Sequence, residues 1–387
     1  MKNRYILSFM VFFLSITLSL AQDDEESSPV TISGSIDAYF RANLGSPNKF
    51  DPEAPGTSFA NRPGFSLGMA NLVIAKEGEK AGFVADLVFG PRGEDAVFGS
   101  PMNSVFNDAE GGSAQIVNQL YAYWNVSDVV TLTLGNFNTF LGYEVISPAS
   151  NFNYSTSYMF SYGPFSHTGL KADIALSDDL SAMVALMNPT DMTEFNLTGS
   201  YTVGAQLGYK GIYLNFLYGD QDGKLDEDFA PSTADVSAGN TFQVDLTAGW
   251  DLSETLYLGV NATYNTTSPG EGFDGTSIID LDGDDAGFYG LAGYFQVATS
   301  DVFSVGTRVE YFNVFNNGLD VIGVDTDGDG SVIDITLTGQ YKVGDLTLIP
   351  ELRLDSTSED SFSDNDSPGT PNTKSLSSFV LAAVYSF

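Results

Sequence analysis

The last ten residues of the chain read Ser378-Phe-Val-Leu-Ala-Ala-Val-Tyr-Ser-Phe387. One face of an extended strand would carry Phe379, Leu381, Ala383, Tyr385 and Phe387, and the other would carry Ser378, Val380, Ala382, Val384 and Ser386. Successive side chains of a strand point to opposite faces, so the stretch predicts a β-strand with one continuous apolar face. The same alternation recurs upstream in blocks of about ten residues, which makes this pattern decisive for the fold.

The whole chain divides into strands of this kind, and the connections between them alternate in length. The predicted strands lie near residues 31–43, 64–75, 80–90, 115–125, 129–137, 168–176, 180–188, 200–209, 211–219, 241–251, 255–265, 287–298, 302–315, 332–343, 346–355 and 376–387. Every second connection is a turn of a few residues, whereas the others are long, polar and rich in Gly, Pro, Asp and Asn.

This layout distinguishes two folds that share the alternating pattern. A soluble β-sandwich would bury the apolar faces as its core. Short turns at one end, long loops at the other and an even strand count are typical of an outer-membrane barrel, which leaves no strand edge unpaired in lipid. We therefore predict an all-β fold: a transmembrane antiparallel β-barrel of about 16 strands, with short periplasmic turns, long extracellular loops and both ends on the periplasmic side.

The first residues predict an exported protein. Residues 1–21 carry Lys2 and Arg4, an apolar middle and a small-residue cleavage site, as in a secretory signal peptide. We expect residues 22–30 to form a periplasmic segment and residues 31–387 to form the barrel. Without Lys2 and Arg4 the chain keeps 13 basic against 50 acidic residues, a formal charge of −37. That charge disfavours nucleic acid as a partner, and the absence of cysteine excludes disulfides and thiolate metal sites.

The third long connection, residues 136–168, carries a family resemblance. It contains Gly142-Tyr143-Glu144, Gly163-Pro164-Phe165 and His167-Thr168-Gly169. With the strand layout, these motifs resemble the OmpL-like group of β-barrel porins found in Bacteroidetes, and more distantly the phosphate-selective porins. The resemblance implies a passive channel in the outer membrane of a Gram-negative bacterium, with a third loop that folds into the lumen. By resemblance, the constriction would be lined by Tyr143, Glu144, Asn151, Asn153 and Tyr154; the alternative is an outer loop that packs on its own aromatic residues.

The resemblance also implies partners. General porins form homotrimers, and a final aromatic residue such as Phe387 resembles the signature that the barrel-insertion machinery recognises. The remaining partners would be outer-membrane lipid and small hydrophilic solutes.

A barrel of this width is too wide for side chains to fill, so we expect a polar lumen. The predicted inward residues are Asp37, Arg41, Asp86, Lys171, Asp173, Asp245, Arg308, Glu310, Asp334, Glu351, Arg353 and Asp355. Acidic residues outnumber basic ones in this set, which predicts a mild preference for cations and argues against phosphate selectivity. Alternatively, Arg308 with Glu310 and Glu351 with Arg353 are structural charge pairs across neighbouring strands.

Two other motifs have weaker meanings. Asp325, Asp327 and Asp329 match the first half of a calcium loop, but position twelve is Thr336, so a calcium ion at the rim competes with a solvated acidic surface. The stretch 270–275 matches a dinucleotide fingerprint only by its letters, because no helix is predicted after it.

The sequence therefore predicts a porin that performs no catalysis and needs no cofactor, since His167 is the only histidine. The competing hypotheses are a non-conducting structural or adhesion barrel and a substrate-specific channel.

Overall fold

Sixteen strands of the described residues close into one antiparallel barrel in the computed structural model. The structure describes residues 29–49, 51–98, 116–225 and 235–387, so the predicted signal peptide and most of the predicted periplasmic segment lie outside it. The barrel strands are β1 (Val30–Asn43), β2 (Gly64–Lys76), β3 (Ala81–Phe89), β4 (Val117–Ser127), β5 (Val130–Asn138), β6 (Ser166–Ala175), β7 (Leu180–Met187), β8 (Thr202–Tyr209), β9 (Ile212–Asp220), β11 (Asn240–Asp251), β12 (Leu256–Thr267), β15 (Ala286–Ala298), β16 (Phe303–Phe315), β17 (Gly330–Val343), β18 (Leu346–Thr357) and β19 (Ser375–Ser386).

The long connections contain short strands and helices. The strands β10 (Val236–Ser237), β13 (Glu271–Phe273) and β14 (Ile278–Asp280) form a small separate sheet. The helices are α1 (Pro91–Ala96) and α2 (Tyr158–Tyr162). No helix in the described ranges is long and apolar enough to cross a membrane.

The first and last strands close the barrel. β1 pairs with β19, and Gly34 and Phe387 exchange two backbone hydrogen bonds of 3.0 Å each. Every other barrel strand pairs with its neighbour in chain order, through turns such as Lys210-Gly211, where both residues have positive φ. That conformation matches the twist of a two-residue hairpin. The predicted fold class and strand number are therefore confirmed.

The two faces of the strands divide as the alternation predicts. In β19, Leu381 and Tyr385 are exposed on the outer face, whereas Val380, Ala382 and Val384 are buried inside. Outward aromatic residues such as Tyr209 and Tyr218 are also exposed, as expected for an interfacial girdle. Tyr257 and Phe288 also lie near strand ends but contact the interior: Phe288 is buried beside Phe312, and Tyr257 hydrogen-bonds to Tyr143.

Candidate functional site

The connection between β5 and β6, residues 139–165, folds into the barrel; we call it the third loop. Both of its ends are fixed at the wall. Thr139 Oγ1 lies 2.9 Å from His167 Nε2, and Asp191 Oδ1 accepts hydrogen bonds from the N–H groups of Phe165 (2.7 Å) and Ser166 (2.9 Å). These contacts set the direction in which the segment enters and leaves the lumen.

The third loop crosses the lumen to the opposite wall. Around the barrel, β5 and β6 are the fifth and sixth strands from β1, whereas β16 and β17 are the thirteenth and fourteenth. The middle of the loop contacts β16, β17 and β18, half a circumference away from where it starts. It therefore divides the lumen into two sides.

Arg308 of β16 is the centre of the attachment to that wall. Its guanidinium lies 2.7 Å from Glu144 of the loop and 2.7 Å from Asp334 of β17, and it donates to the carbonyl of Ser155 at 2.8 Å. Arg308 is fully buried. Removal of one partner of an ion pair in such a water-excluded place strongly destabilises the folded protein, because the other charge is left buried.

Two carboxylates bind backbone N–H groups of the loop. Glu310 accepts from Tyr158 and Met159, at 2.8 Å each, where α2 begins. Glu351 of β18 accepts from the N–H groups of Tyr154 (2.9 Å) and Ser155 (3.2 Å). Hydrogen bonds to a charged acceptor are roughly twice as strong as neutral ones, so these carboxylates fix the loop backbone as well as its side chains.

Arg353 and Asp355 extend this attachment along β18. Arg353 contacts Asp355 at 2.7 Å and donates to the carbonyl of Thr156 at 2.8 Å. The hydroxyl of Tyr158 donates to Asp355 at 3.1 Å. We call Arg308, Glu310, Asp334, Glu351, Arg353 and Asp355 the latch.

The contacts of the loop with β11, β12 and β15 are fewer among the described residues. The N–H of Gly142 donates to Asp245 at 2.9 Å. The ring of Tyr143 stacks on Tyr294 at 4.1 Å, and its hydroxyl bonds to that of Tyr257 at 2.9 Å. This side of the loop, unlike the latch, is held by one carboxylate, an aromatic stack and the apolar packing of Tyr158 and Met159 against β15.

The spaces between the third loop and the wall include two that lie among the described residues. The first, which we call the gap, has a volume of about 10 Å³ and lies between Gly163 and Pro164 of the loop and Gln243, Asp245 and Asn261 of the wall. The second, which we call the chamber, has a volume of about 280 Å³. Both spaces are bordered by Leu141, Gly142 and Phe160, so they are neighbours.

The predicted inward residues all lie on the inner face, but most of them touch protein. Asp37, Arg41, Asp86, Asp245 and the six latch residues are buried, whereas Lys171 and Asp173 are partly exposed and pair at 2.9 Å. The expected pairs of Arg308 with Glu310 and of Glu351 with Arg353 do not form. Arg308 pairs with Glu144 and Asp334, and Arg353 pairs with Asp334 and Asp355. The loop supplies Glu144 as a counter-charge to Arg308, and the strand pattern alone does not predict this pair.

The five predicted constriction residues lie in the folded-in loop, mostly on its attached side. Asn153 donates to Thr338 at 2.7 Å, Tyr154 donates to Asp37 at 2.5 Å, and Asn151 binds the backbone of Val145. Of the five, Glu144 borders the chamber. The gap is instead bordered by loop residues that the sequence did not single out, such as Met159 and Pro164.

One signal for this arrangement was present in the last strand. Val380, Ala382 and Val384 make its inward face apolar, although an inward face exposed to water should be polar. In the structure these side chains pack with Tyr154 of the third loop and Tyr39 of β1. An apolar inward stripe in a barrel strand therefore indicates a segment packed inside.

The aspartates proposed for calcium lie in the connection before β17. Asp325 accepts hydrogen bonds from the N–H groups of Asp327 (2.9 Å) and Asp329 (3.0 Å). These bonds hold the pKa of its carboxyl below the usual range. Within the described ranges, no three His, Cys, Asp or Glu side chains converge as metal ligands. Calcium binding remains a prediction for solution.

Comparison with known proteins places this barrel among porins. The fold is similar to that of the outer membrane channel DcaP of Acinetobacter baumannii, with 13% identity, coverage of 95% of this chain and 100% of that one, and a TM-score of 0.54. It is also similar to an anion-selective porin from Comamonas acidovorans (12% identity, 94% and 100% coverage, TM-score 0.56) and to OmpT of Vibrio cholerae in its trimer form (10%, 94% and 100%, 0.53). No curated protein matches the chain significantly.

At these identities the solved structures support the fold alone, and the family comes from the sequence match. Residues 29–387 match the family described as "Putative beta-barrel porin-2, OmpL-like". That match covers the entire barrel, and together with the barrel fold it supports a location in the outer membrane of a Gram-negative bacterium. The chain belongs to this OmpL-like family of β-barrel porins.

Proposed function

We propose that the protein is a passive aqueous channel for small hydrophilic solutes and ions, whose path runs along the side of the third loop where the gap and the chamber lie. The observation that supports this function is the uneven attachment of the third loop. Charged side chains bind the loop to β16, β17 and β18, whereas on the side of β5 to β12 two spaces lie next to each other. A loop that narrows a wide barrel at one side leaves a selective path. This function involves no covalent chemistry.

A mild preference for cations follows from the charges around that path. Arg308 and Arg353 are neutralised by carboxylates in the latch. Asp245, at the gap, is bound by the amides of Asn215 (2.9 Å) and Asn261 (2.6 Å), and no basic side chain of the described residues pairs with it. A carboxylate that borders the gap attracts cations and repels anions.

The test is ion conductance of the refolded protein in a planar bilayer under a salt gradient. We expect stable conductance steps. The sign of the reversal potential should show that cations cross more readily than anions. Asp245→Asn should move the reversal potential toward zero. Asp86→Asn is the matched control, because Asp86 is also a buried inward carboxylate bound by amides, at 2.7 Å and 3.0 Å, but lies on β3 away from the gap. Anion selectivity, or equal shifts in both variants, would contradict the proposal.

A second candidate is a non-conducting barrel. The small gap favours it, because about 10 Å³ is roughly the room that one water molecule needs. Folded, inserted protein that gives no conductance steps would support this candidate and reject the channel.

Assembly and insertion are further proposals. The fold likeness to OmpT in its trimer form supports a homotrimer, which mass measurement in detergent would test. Recognition of Phe387 by the insertion machinery predicts that removing this residue lowers the amount of assembled barrel. Calcium binding at Asp325, Asp327 and Asp329 would appear as a calcium-dependent change in conductance.

A further inference from the structure

The chamber has a composition that the passage of simple ions does not require. Of its wall residues, Asn138 lies at the long-loop end of β5, whereas Lys171, Gln206, Tyr213 and Thr247 lie in the halves of β6, β8, β9 and β11 that are nearer the short turns. The gap residues Gln243 and Thr263 lie nearer the long loops. Most of the chamber wall is therefore nearer the periplasmic side than the gap is.

The third loop supplies an apolar side to the chamber. The apolar residues that border it are Phe140, Leu141, Val145, Ile146, Phe160 and Phe165. Small-molecule sites are typically lined by such side chains together with a few polar groups that orient the ligand. Phe140 and Phe165 are held by aromatic neighbours: Phe140 lies 5.1 Å from the ring of His167, and Phe165 lies 4.8 Å from that of Phe160.

The barrel wall supplies the polar side. Gln206, Tyr213 and Thr247 carry an amide and two hydroxyl groups on this surface. The Gln206 amide is oriented by the hydrogen bond that its Nε2 donates to Asn215 Oδ1 at 2.8 Å. A fixed amide and neighbouring hydroxyl groups can both donate to and accept from a polar ligand.

The charged groups that border the chamber are already paired. Lys171 contacts Asp173 at 2.9 Å, and Glu144 contacts Arg308 at 2.7 Å. A charged ligand would have to compete with these pairs, whereas a neutral ligand would leave them intact. The chamber therefore suits an uncharged molecule.

We infer that the chamber binds a neutral, polyhydroxylated ring compound of the size of a monosaccharide. Such a ring has an apolar face for the aromatic side of the chamber and hydroxyl groups for Gln206, Tyr213 and Thr247. This inference deepens the proposed function, because the chamber would be a binding site inside the lumen of that channel, which the probe reaches from the periplasmic side. It makes the channel selective among neutral solutes, while Asp245 acts on ions.

The test uses D-glucose as the probe in two measurements. In a planar bilayer, glucose on the periplasmic side should reduce the ion current in a saturable way, and gluconate at equal concentration should reduce it less. In detergent, calorimetry of the folded protein should also show that glucose binds more tightly than gluconate. Stronger binding of gluconate, or no saturable effect of glucose in either measurement, would overturn the inference.

A matched pair of variants locates the site. Thr247→Val keeps the shape of the side chain but removes the hydroxyl group, and the loss of a neutral hydrogen bond should weaken glucose binding about two- to tenfold. Thr241→Val makes the same change on the same face of β11, where Thr241 hydrogen-bonds to Thr267 at 2.8 Å outside the chamber. Equal affinities in the two variants would reject the site. If the protein binds glucose but carries no current, the channel proposal fails and the binding site stands.

Discussion

At the scale of single residues, the buried charges of the latch dominate the attachment of the third loop. Arg308→Met should lower the free energy of unfolding by about 3–5 kcal/mol, because Glu144 would remain buried without an ionic partner and Asp334 would keep only Arg353. Urea unfolding in lipid vesicles, followed by the electrophoretic shift of the folded barrel, measures this change. Lys171→Met also removes one positive charge, but from a partly exposed pair, and should cost at most about 1 kcal/mol. Equal unfolding midpoints for Arg308→Met and Lys171→Met would contradict the stabilising role of the latch.

Asp191, at the end of the third loop, predicts a pH dependence. Burial raises the pKa of its carboxyl to about 6, although the N–H groups of Ser166 and Phe165 oppose the shift. In the unfolded chain the same group titrates near pH ~3.9. The folded protein therefore binds this proton more tightly, so the contribution of Asp191 to stability is greatest below pH ~4 and declines as the pH rises through about 6.

The Asn variant of this residue isolates the effect. Unfolding of the native protein and of Asp191→Asn should be compared between pH 4 and pH 7 by the same electrophoretic assay. We expect the variant to lose the part of the pH dependence that falls in this window. An unchanged slope would assign the dependence to other groups.

At the scale of elements, the third loop is a partition fixed by its backbone. Four N–H groups, those of Tyr154, Ser155, Tyr158 and Met159, donate to Glu351 and Glu310. Bonds to charged groups contribute about 1.5–3 kcal/mol each. The double variant Glu310→Gln/Glu351→Gln replaces carboxylate oxygens with amide N–H groups that repel these donors. The loop should then leave the wall more often.

The expected result is a larger conductance step in the planar bilayer, since the lumen widens when the partition moves. Asp86→Asn is the control: it also neutralises a buried inward carboxylate, but one that binds Asn71, Asn118 and Gln119 rather than the loop. A double variant that stays folded and keeps the native step would show that the loop does not limit the current.

The elements also show which parts of the structure a sequence can reveal. Strand β17 was predicted at 332–343 and spans Gly330–Val343, because alternation over a long strand is a strong local signal. The helix α2 and the sheet of β10, β13 and β14 were not predicted, since elements of two to five residues carry no periodicity. One partner of Arg308, Glu144, is 164 positions away in the sequence, and strand patterns do not encode such a contact.

At the scale of the whole molecule, the barrel is stabilised from two sides. Outside, exposed apolar side chains such as Leu337 and Leu352 face lipid. Inside, the third loop provides packing that a water-filled lumen would lack, as in the cluster of Tyr158, Met159, Phe288 and Phe312. The even strand number and the alternating turn lengths predicted a closed barrel whose outer surface faces lipid. The inner packing depends on how one loop folds back, which the family resemblance indicated and the strand pattern alone did not.

On the lipid-facing surface, the free-energy cost of introducing a charged side chain should depend on its depth in the bilayer. Leu337 lies near the middle of β17 and Val343 at its short-turn end, and both side chains are about half exposed on the outer face. Arginine at the bilayer midplane costs about 2–4 kcal/mol, whereas near the interface it costs about 0–1 kcal/mol. Leu337→Arg should therefore destabilise the barrel in lipid vesicles by about 2–3 kcal/mol more than Val343→Arg. In detergent micelles the difference should shrink, because a micelle deforms around a charge more readily than a bilayer does. Equal costs in vesicles would mean that this face of β17 is not in contact with lipid, as in a subunit interface.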